Sequence, residues 1–313
     1  MIETVDIEVV SVNVSLEKGT IKLPVNSIEI TEKGIVEDAH SGSWHRMLSL
    51  LGVESFERFS KLANRNIAYG EFAENITTKG LELFTCKPLD RFVNEHVALE
   101  VTQIGKECHG NSCAIYREVG NCVMPKEGIF ARVLKSGSMK SGDVLQYIPK
   151  VFRIKLITLS DRASMGQYDD RSGNRIKEWL HEYFDQYKYP IIIDYSLIAD
   201  DAALLRNELN NAVENMYDFV FTCGGTGIGP RDITVDVVSK LIDKEIPGII
   251  DQIRLKYGEN NPNALLSRSI AGVMKNTIVY TLPGSVKATN EYMTEIVKTM
   301  LHLVYMMHAI DAH

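Results

Sequence analysis

The chain has 313 residues, 45% hydrophobic and 24% charged, and its net charge of −7 divides almost evenly, −3 up to residue 150 and −4 after it. That length can bury two cores, while the lack of a basic half or a Lys/Arg tract argues against a nucleic-acid partner. The acidic opening MIETVDIEVV, the lack of an apolar run of about 20 residues and five cysteines, an odd number, together predict a cytoplasmic protein with no signal peptide, membrane span or disulfide framework.

Residues 1–150 read as mostly strand, with short apolar runs broken by Gly, Asn and Asp. Residues 97–101, 128–134 and 143–148 are such runs, and Lys135-Ser136-Gly137-Ser138 reads as a turn between the last two. The rhythm changes near Pro149, so the domains are placed at 1–150 and 151–313. From Val151 strands alternate with amphipathic helices, the signature of an α/β domain with a mainly parallel sheet. The predicted elements are a strand at 153–159, a helix at 174–187 burying Ile176, Trp179, Leu180 and Phe184, and a strand at 189–198. A helix at 201–215 carries Leu204, Leu205, Leu209 and Val213. A strand over Tyr217–Phe221 follows, then a glycine loop, a helix at 235–242, a helix after Pro247-Gly248, a strand at 277–282 and a last helix from Val286 towards Met307.

The glycine loop is Thr222-Cys223-Gly224-Gly225-Thr226-Gly227, with Arg231 and Asp232 close behind. Three glycines and two threonines at a strand end make a loop of little bulk, whose backbone N–H groups can approach an anion. It is neither a Walker A loop nor G-x-G-x-x-G, and glycines in a strand-to-helix turn can also be purely structural. Further polar clusters fall at the other predicted strand ends: Ser160-Asp161-Arg162, Asp200-Asp201 and Pro283-Gly284-Ser285. In an open α/β sheet, ligands bind outside the carboxyl ends of the strands. Mg²⁺ prefers one or two carboxylates together with substrate phosphates, which makes Asp232 and Asp200 the candidates; Asp200-Asp201 also reads as a helix N-cap. Arg162 and Arg268 are suited to clamping phosphate, or to pairing with surface acids.

Six motifs occur together and in order: Ser-Asp-Arg-Ala-Ser at 160–164, Thr-x-Gly-Gly-Thr-Gly at 222–227, Arg-Asp-x-Thr at 231–234, Glu-x-Pro-Gly at 245–248, Leu-Ser-Arg at 266–268 and Leu-Pro-Gly-Ser at 282–285. Residues 151–313 thereby resemble the molybdopterin adenylyltransferase family (MogA/MoaB type, found also as a domain of gephyrin-like proteins). The resemblance implies a three-layer α/β domain that transfers AMP from ATP to molybdopterin with Mg²⁺, forming trimers or higher multiples. It implies Asp232 and Asp200 as catalytic and Mg²⁺-holding residues. Substrate would be bound by Ser160, Asp161, Arg162, Thr222, Gly224, Gly225, Thr226, Gly227, Ser267, Arg268, Pro283, Gly284 and Ser285. Cys223 and Val286 depart from the residues frequent at those positions.

The strings Gly34-Ile35-x-x-Asp38-x-His40 and Glu74-Asn75-Ile76-Thr77-Thr78-x-Gly80-Leu81, with Cys108, resemble a MOSC domain, the β-rich barrel module of molybdenum-cofactor sulfurases. That resemblance implies sulfur or cofactor handling at Cys108; a buried inert thiol is the alternative. Cys108, His109, Cys113 and Cys122 with Asp38, His40 and His45 offer soft metal ligands, but at no strong zinc spacing. Two related halves point to molybdenum-cofactor biosynthesis. A non-catalytic cofactor carrier and a metal or oxyanion sensor are the rival readings.

Overall fold

Along residues 5–14 apolar and polar side chains alternate before the pattern fills in, and this segment becomes the first strand of a barrel. The computed structural model describes residues 4–106 and 123–310. Strand β1 (Val5–Val14) buries Ile7 and Val9 and leaves Asp6 and Glu8 in solvent, the period of two of a half-buried strand. A bulge between Val9 and Ser11 shifts its register, and beyond it Ser11, Val12 and Asn13 are all buried. The described chain divides into two compact units, one running to Lys150 and joined by the residues from His308, the other Val151–Met307.

In the first unit, β2 (Leu23–Val25), β3 (Ser27–Thr31), β4 (Gly34–Ile35), β5 (Leu48–Gly52) and β6 (Ile76–Lys79) follow β1. After them come β7 (Arg91–Val93), β8 (Ala98–Ile104), β9 (Ile129–Lys135), β10 (Gly137–Lys140) and β11 (Val144–Ile148). The order β11-β7-β8-β9-β5-β6-β1 closes where β1 pairs with β11, from Val5 opposite Tyr147 to Glu8 opposite Val144. Closure removes the sheet edges, and the interior is filled by Ile7, Val9, Leu50, Phe92, Leu99 and Leu145 among others. The β-rich expectation for this half is met by a closed seven-stranded barrel.

The second unit holds one sheet in the order β13-β12-β14-β17-β16-β15. Its strands are β12 (Phe152–Leu159), β13 (Ile191–Ile198), β14 (Phe219–Cys223), β15 (Lys244–Glu245), β16 (Ala271–Met274) and β17 (Thr277–Leu282). The first four in that order are parallel, and β16 and β15 add antiparallel. Both faces of the sheet are apolar, as a covered parallel sheet requires. Ile157, Val220 and Val279 pack with Leu205 and Leu209 of the helix Ala202–Glu214. Phe152 and Phe219 pack with Phe184 of the helix Arg171–Gln186 at ring distances of 4.9–6.0 Å. Each such side chain, fully buried, contributes on the order of 1.5–3 kcal/mol. The three-layer arrangement is the one expected. Among the described residues no helix is long and apolar enough to cross a membrane.

Several element expectations are corrected. Residues 135–138 are not a plain turn, because Gly137–Lys140 pairs with β3 and buries Met139. The helix expected at 235–242 covers only Thr234–Val238, since Lys240 and Leu241 bond three residues back and tighten the end into a turn. The last helix breaks into Val286–Ile296 and Met300–Met307; at the break the Thr299 hydroxyl donates to the Ile296 carbonyl and competes with the backbone ladder. Trp179 is only half-buried, its indole N–H donating to Asn290 Oδ1 at 2.8 Å. Leu204 is exposed, leaving Leu205, Leu209 and Ala212 as the buried face of its helix.

Candidate active site

The strand register decides where the polar loops leave the sheet. Leu159 lies opposite Ile198, Thr158 opposite Cys223, and Cys223 opposite Leu282. Four parallel strands therefore end along one edge, and the loops after them converge on a cavity of about 1090 Å³. Ser160, Asp161, Arg162, Asp200, Gly224, Gly225, Thr226, Gly227, Asp232, Ser267, Pro283, Gly284 and Ser285 all line it. Thr222 does not, being a fully buried residue inside β14. Arg268 does not either: its guanidinium is turned to the Asp236 carboxylate, bonded through both terminal nitrogens. Arg268 thus stands in a surface ion pair, the alternative to phosphate clamping that local sequence left open.

The glycine loop is shaped by close approach. Gly224 has φ +107° and donates its N–H to the Leu282 carbonyl at 2.9 Å, while a side chain there would run into the Leu159 carbonyl. Gly225 has φ +63°, with Thr234 Oγ1 2.5 Å from where a Cβ would sit. Both backbone angles favour glycine. Thr234, fully buried, fastens the loop by donating its hydroxyl to the Gly224 carbonyl at 2.8 Å and its N–H to the Gly225 carbonyl at 3.1 Å. At Gly227 a Cβ would stand 2.7 Å from Asp232 Oδ2, so a side chain there would displace the Asp232 carboxylate. Cys223 is buried beneath the loop, and burial pushes its thiol up to about 12, so it stays protonated at neutral pH.

Three carboxylates meet at the cavity from three different loops. The Asp200 N–H donates to Asp161 Oδ1 at 3.0 Å, and the Asp161 N–H donates to Asp200 Oδ2 at 3.4 Å. Arg231 NH1 lies 3.4 Å from Asp161 Oδ2. Asp232 accepts the Gly229 N–H at 2.8 Å. Burial and the negative charges of Asp161 and Asp232 push the Asp200 carboxyl above the ordinary range, against the Asp161 hydrogen bond and Arg231. A negative centre of this kind gains from a cation, which is the fit that Mg²⁺ with a phosphate substrate would exploit. Among the described residues no group of three or more His, Cys, Asp or Glu side chains is arranged to hold a metal by itself. The neighbouring Asp201 does something different: it caps the helix Ala202–Glu214, accepting from the Ala203 and Leu204 N–H groups at 2.8 and 2.9 Å. The Asp-Asp pair is thus divided, one residue in the cavity and one at the cap.

Sequence reading missed several lining residues. Tyr168 donates to or accepts from Ser160 Oγ at 2.8 Å, and Arg162 lies 5.4 Å from its ring centre. Asp170 caps the helix Arg171–Gln186 through the Gly173 N–H and takes the Tyr195 hydroxyl at 2.8 Å. Tyr257, Asn261 and Tyr292 line the far side. For Asp170 the signal was present, since Asp-Arg-Ser-Gly before a helical pattern is a capping sequence. The aromatic residues carried no local mark.

In the barrel, the two strings singled out in the sequence come together. Asp38 and Lys22 form a buried ion pair, and Asn75 Nδ2 and the Ser15 N–H also donate to Asp38 Oδ2, each at 3.1 Å. Burial opposes the Asp38 charge, but bonds from His40 and Lys22 and the Lys22 charge outweigh it and hold the carboxyl well below its usual range. Glu74 beside it is fully buried, which pushes its carboxyl up to about 7. Cys108, His109, Cys113 and Cys122 lie outside the described residues, so the sulfur-handling and soft-metal readings have no geometry.

Comparison with known proteins adds the last observation. A family profile described as "Probable molybdopterin binding domain" matches residues 155–302. A molybdopterin adenylyltransferase of Helicobacter pylori J99 is 36% identical over 143 residues, covering 45% of this chain and 80% of that protein. One from Escherichia coli K12 is 35% identical over 140 residues, 44% of this chain and 70% of that protein. Molybdenum cofactor biosynthesis protein B of Staphylococcus carnosus is 33% identical over 153 residues, 48% of this chain and 87% of that protein.

Proposed function

The chain belongs, through its C-terminal half, to the molybdopterin-binding domain family of molybdenum-cofactor biosynthesis, and on that premise we propose that this half is a molybdopterin adenylyltransferase. The reaction joins a phosphate oxygen of molybdopterin to the α-phosphorus of ATP and breaks the bond from that phosphorus to the bridging oxygen, so that pyrophosphate leaves. The observation that carries the reading is the convergence of Asp161, Asp200 and Asp232 with a glycine loop on one cavity at the strand ends.

The protein's part in such a transfer is positioning and charge placement. Because Gly224 spends its N–H on Leu282, phosphate contacts fall to Gly225, Thr226 and Gly227. Ser160, Arg162 and Ser267 supply polar contacts to the substrates, and Pro283, Gly284 and Ser285 form the facing wall. Asp200 and Asp232 would hold Mg²⁺, which when bound offsets negative charge on the phosphates. Asp232 is kept in place by the turn it closes with Gly229.

For the N-terminal half, the reading that fits is a MOSC-like module that handles the same cofactor or its sulfur, with Cys108 as the carrier position. The bond from Asn75 to Asp38, which joins the two strings of that resemblance, supports it. A cytoplasmic location and a trimeric or higher assembly complete the proposal. Purified chain with molybdopterin, ATP and Mg²⁺ should release pyrophosphate and form the adenylylated pterin. Binding of the pterin without pyrophosphate release would leave a carrier in place of an enzyme.

A further inference from the structure

We propose that Asp161 is the positioning residue of this site: its single carboxylate fixes Asp200 through that residue's backbone N–H and Asp232 through its chain neighbour Arg231. The inference rests on the transferase reading and goes beyond it in separating Asp161 from the substrate-binding residues among which sequence placed it. Asp161 stands directly after Ser160, which caps the four-residue helix Asp161–Ser164 by accepting the Ala163 N–H, so its backbone is fixed at the end of β12. Oδ1 takes the Asp200 N–H at 3.0 Å, and the Asp200 carboxylate takes the Asp161 N–H in return at 3.4 Å. This reciprocal clasp ties the loop after β12 to the loop after β13. Oδ2 faces Arg231 NH1 at 3.4 Å and so ties the first loop to the residue before Asp232. Both oxygens are therefore engaged by protein, whereas the Asp232 carboxylate accepts the Gly229 N–H and opens on the cavity. A carboxylate that joins three loops, with a candidate catalytic group on two of them, sets the distance between those groups. Misplacement by about an ångström can cost a reaction of this type on the order of 100-fold.

The test uses the full chain and two readouts. Pyrophosphate release from ATP, Mg²⁺ and molybdopterin is compared for wild type, Asp161→Asn, Asp161→Ala, Arg231→Ala and the double variant Asp161→Ala/Arg231→Ala. Asp161→Ala should lower kcat about 10- to 100-fold while the molybdopterin KM stays within about threefold. Asp161→Asn keeps an acceptor for the Asp200 N–H but offers Arg231 no charge, so it should match Arg231→Ala. The double variant should be no worse than Asp161→Ala alone, because Arg231 acts through the carboxylate already removed. Losses that multiply, or a loss confined to KM, would overturn the proposal and return Asp161 to direct substrate contact. The second readout is amide hydrogen exchange at Asp200 in the unliganded protein, which should quicken in Asp161→Ala and stay near wild type in Asp161→Asn. If wild type releases no pyrophosphate the transferase reading falls, and exchange alone judges the clasp: unchanged protection at Asp200 in Asp161→Ala refutes it.

Discussion

Replacing Gly224 by alanine tests the shape of the glycine loop. The residue sits at φ +107°, which an L side chain adopts at a cost of about 1–3 kcal/mol. The new Cβ would also press on the Leu159 carbonyl, a backbone atom at the end of β12 that cannot swing aside. Relief requires the loop after β14 and the end of β12 to part, which strains the Gly224 N–H bond to Leu282 as well. Adding an overpacking cost of about 1–3 kcal/mol gives a total on the order of 2–6 kcal/mol. Gly248→Ala supplies the control: Gly248 lies in the first turn of the helix Pro247–Gly258, and nothing stands within 4 Å of a Cβ there. That change should be neutral or stabilise by up to about 1 kcal/mol. Urea denaturation monitored by circular dichroism compares the two, with midpoints converted through the wild-type slope. Equal midpoints for Gly224→Ala and wild type would show that the loop relaxes freely and that its close approach to β12 has no energetic weight.

Other outcomes follow from single contacts. Glu74 binds its proton more tightly in the folded barrel, at about 7, than in the unfolded chain, at about 4.5, so its contribution is fully present below about pH 4.5 and is lost as pH rises to about 7. Wild type should therefore lose on the order of 3 kcal/mol across that window relative to Glu74→Gln, and parallel stability–pH curves for the two proteins would contradict this. Lys22→Met leaves the Asp38 charge buried without its cation and should cost about 3–5 kcal/mol, read as a lower urea midpoint of the barrel; a shift below about 1 kcal/mol would mean the pair is solvated. Asp201→Ala removes a helix cap and should cost about 0.5–2 kcal/mol with pyrophosphate release unchanged, whereas Asp200→Ala should abolish release. The reverse pattern would exchange the roles of the two neighbours.

The C-terminal site was legible because its chemistry is local. Glycines that must adopt positive φ, and polar residues directly after apolar runs, leave marks a few residues long. Parallel strands then bring those marks to one edge without further information. Asp200 and Asp201 could not be separated in this way, since both precede the helix; the clasp of Asp200 with Asp161, 39 residues away, and the cap that Asp201 makes distinguish them. The barrel was expected only through the MOSC resemblance, because Val5 pairs with Tyr147 and no local pattern specifies so distant a partner. Lys22 reads as an ordinary loop lysine in sequence, yet Asp38 and the chain around it bury it completely. The broken last helix depended on one threonine hydroxyl choosing a backbone carbonyl, a competition that apolar periodicity does not register.

The central claim is that the cavity at the strand ends catalyses adenylyl transfer through Asp232. Pyrophosphate release by purified protein with molybdopterin, ATP and Mg²⁺, beside Asp232→Asn at matched folding stability, tests it most directly. The account predicts release by wild type together with adenylylated pterin, and a loss of at least about 100-fold in the variant. Equal release by both proteins, or none from a wild type that binds the pterin, would contradict it.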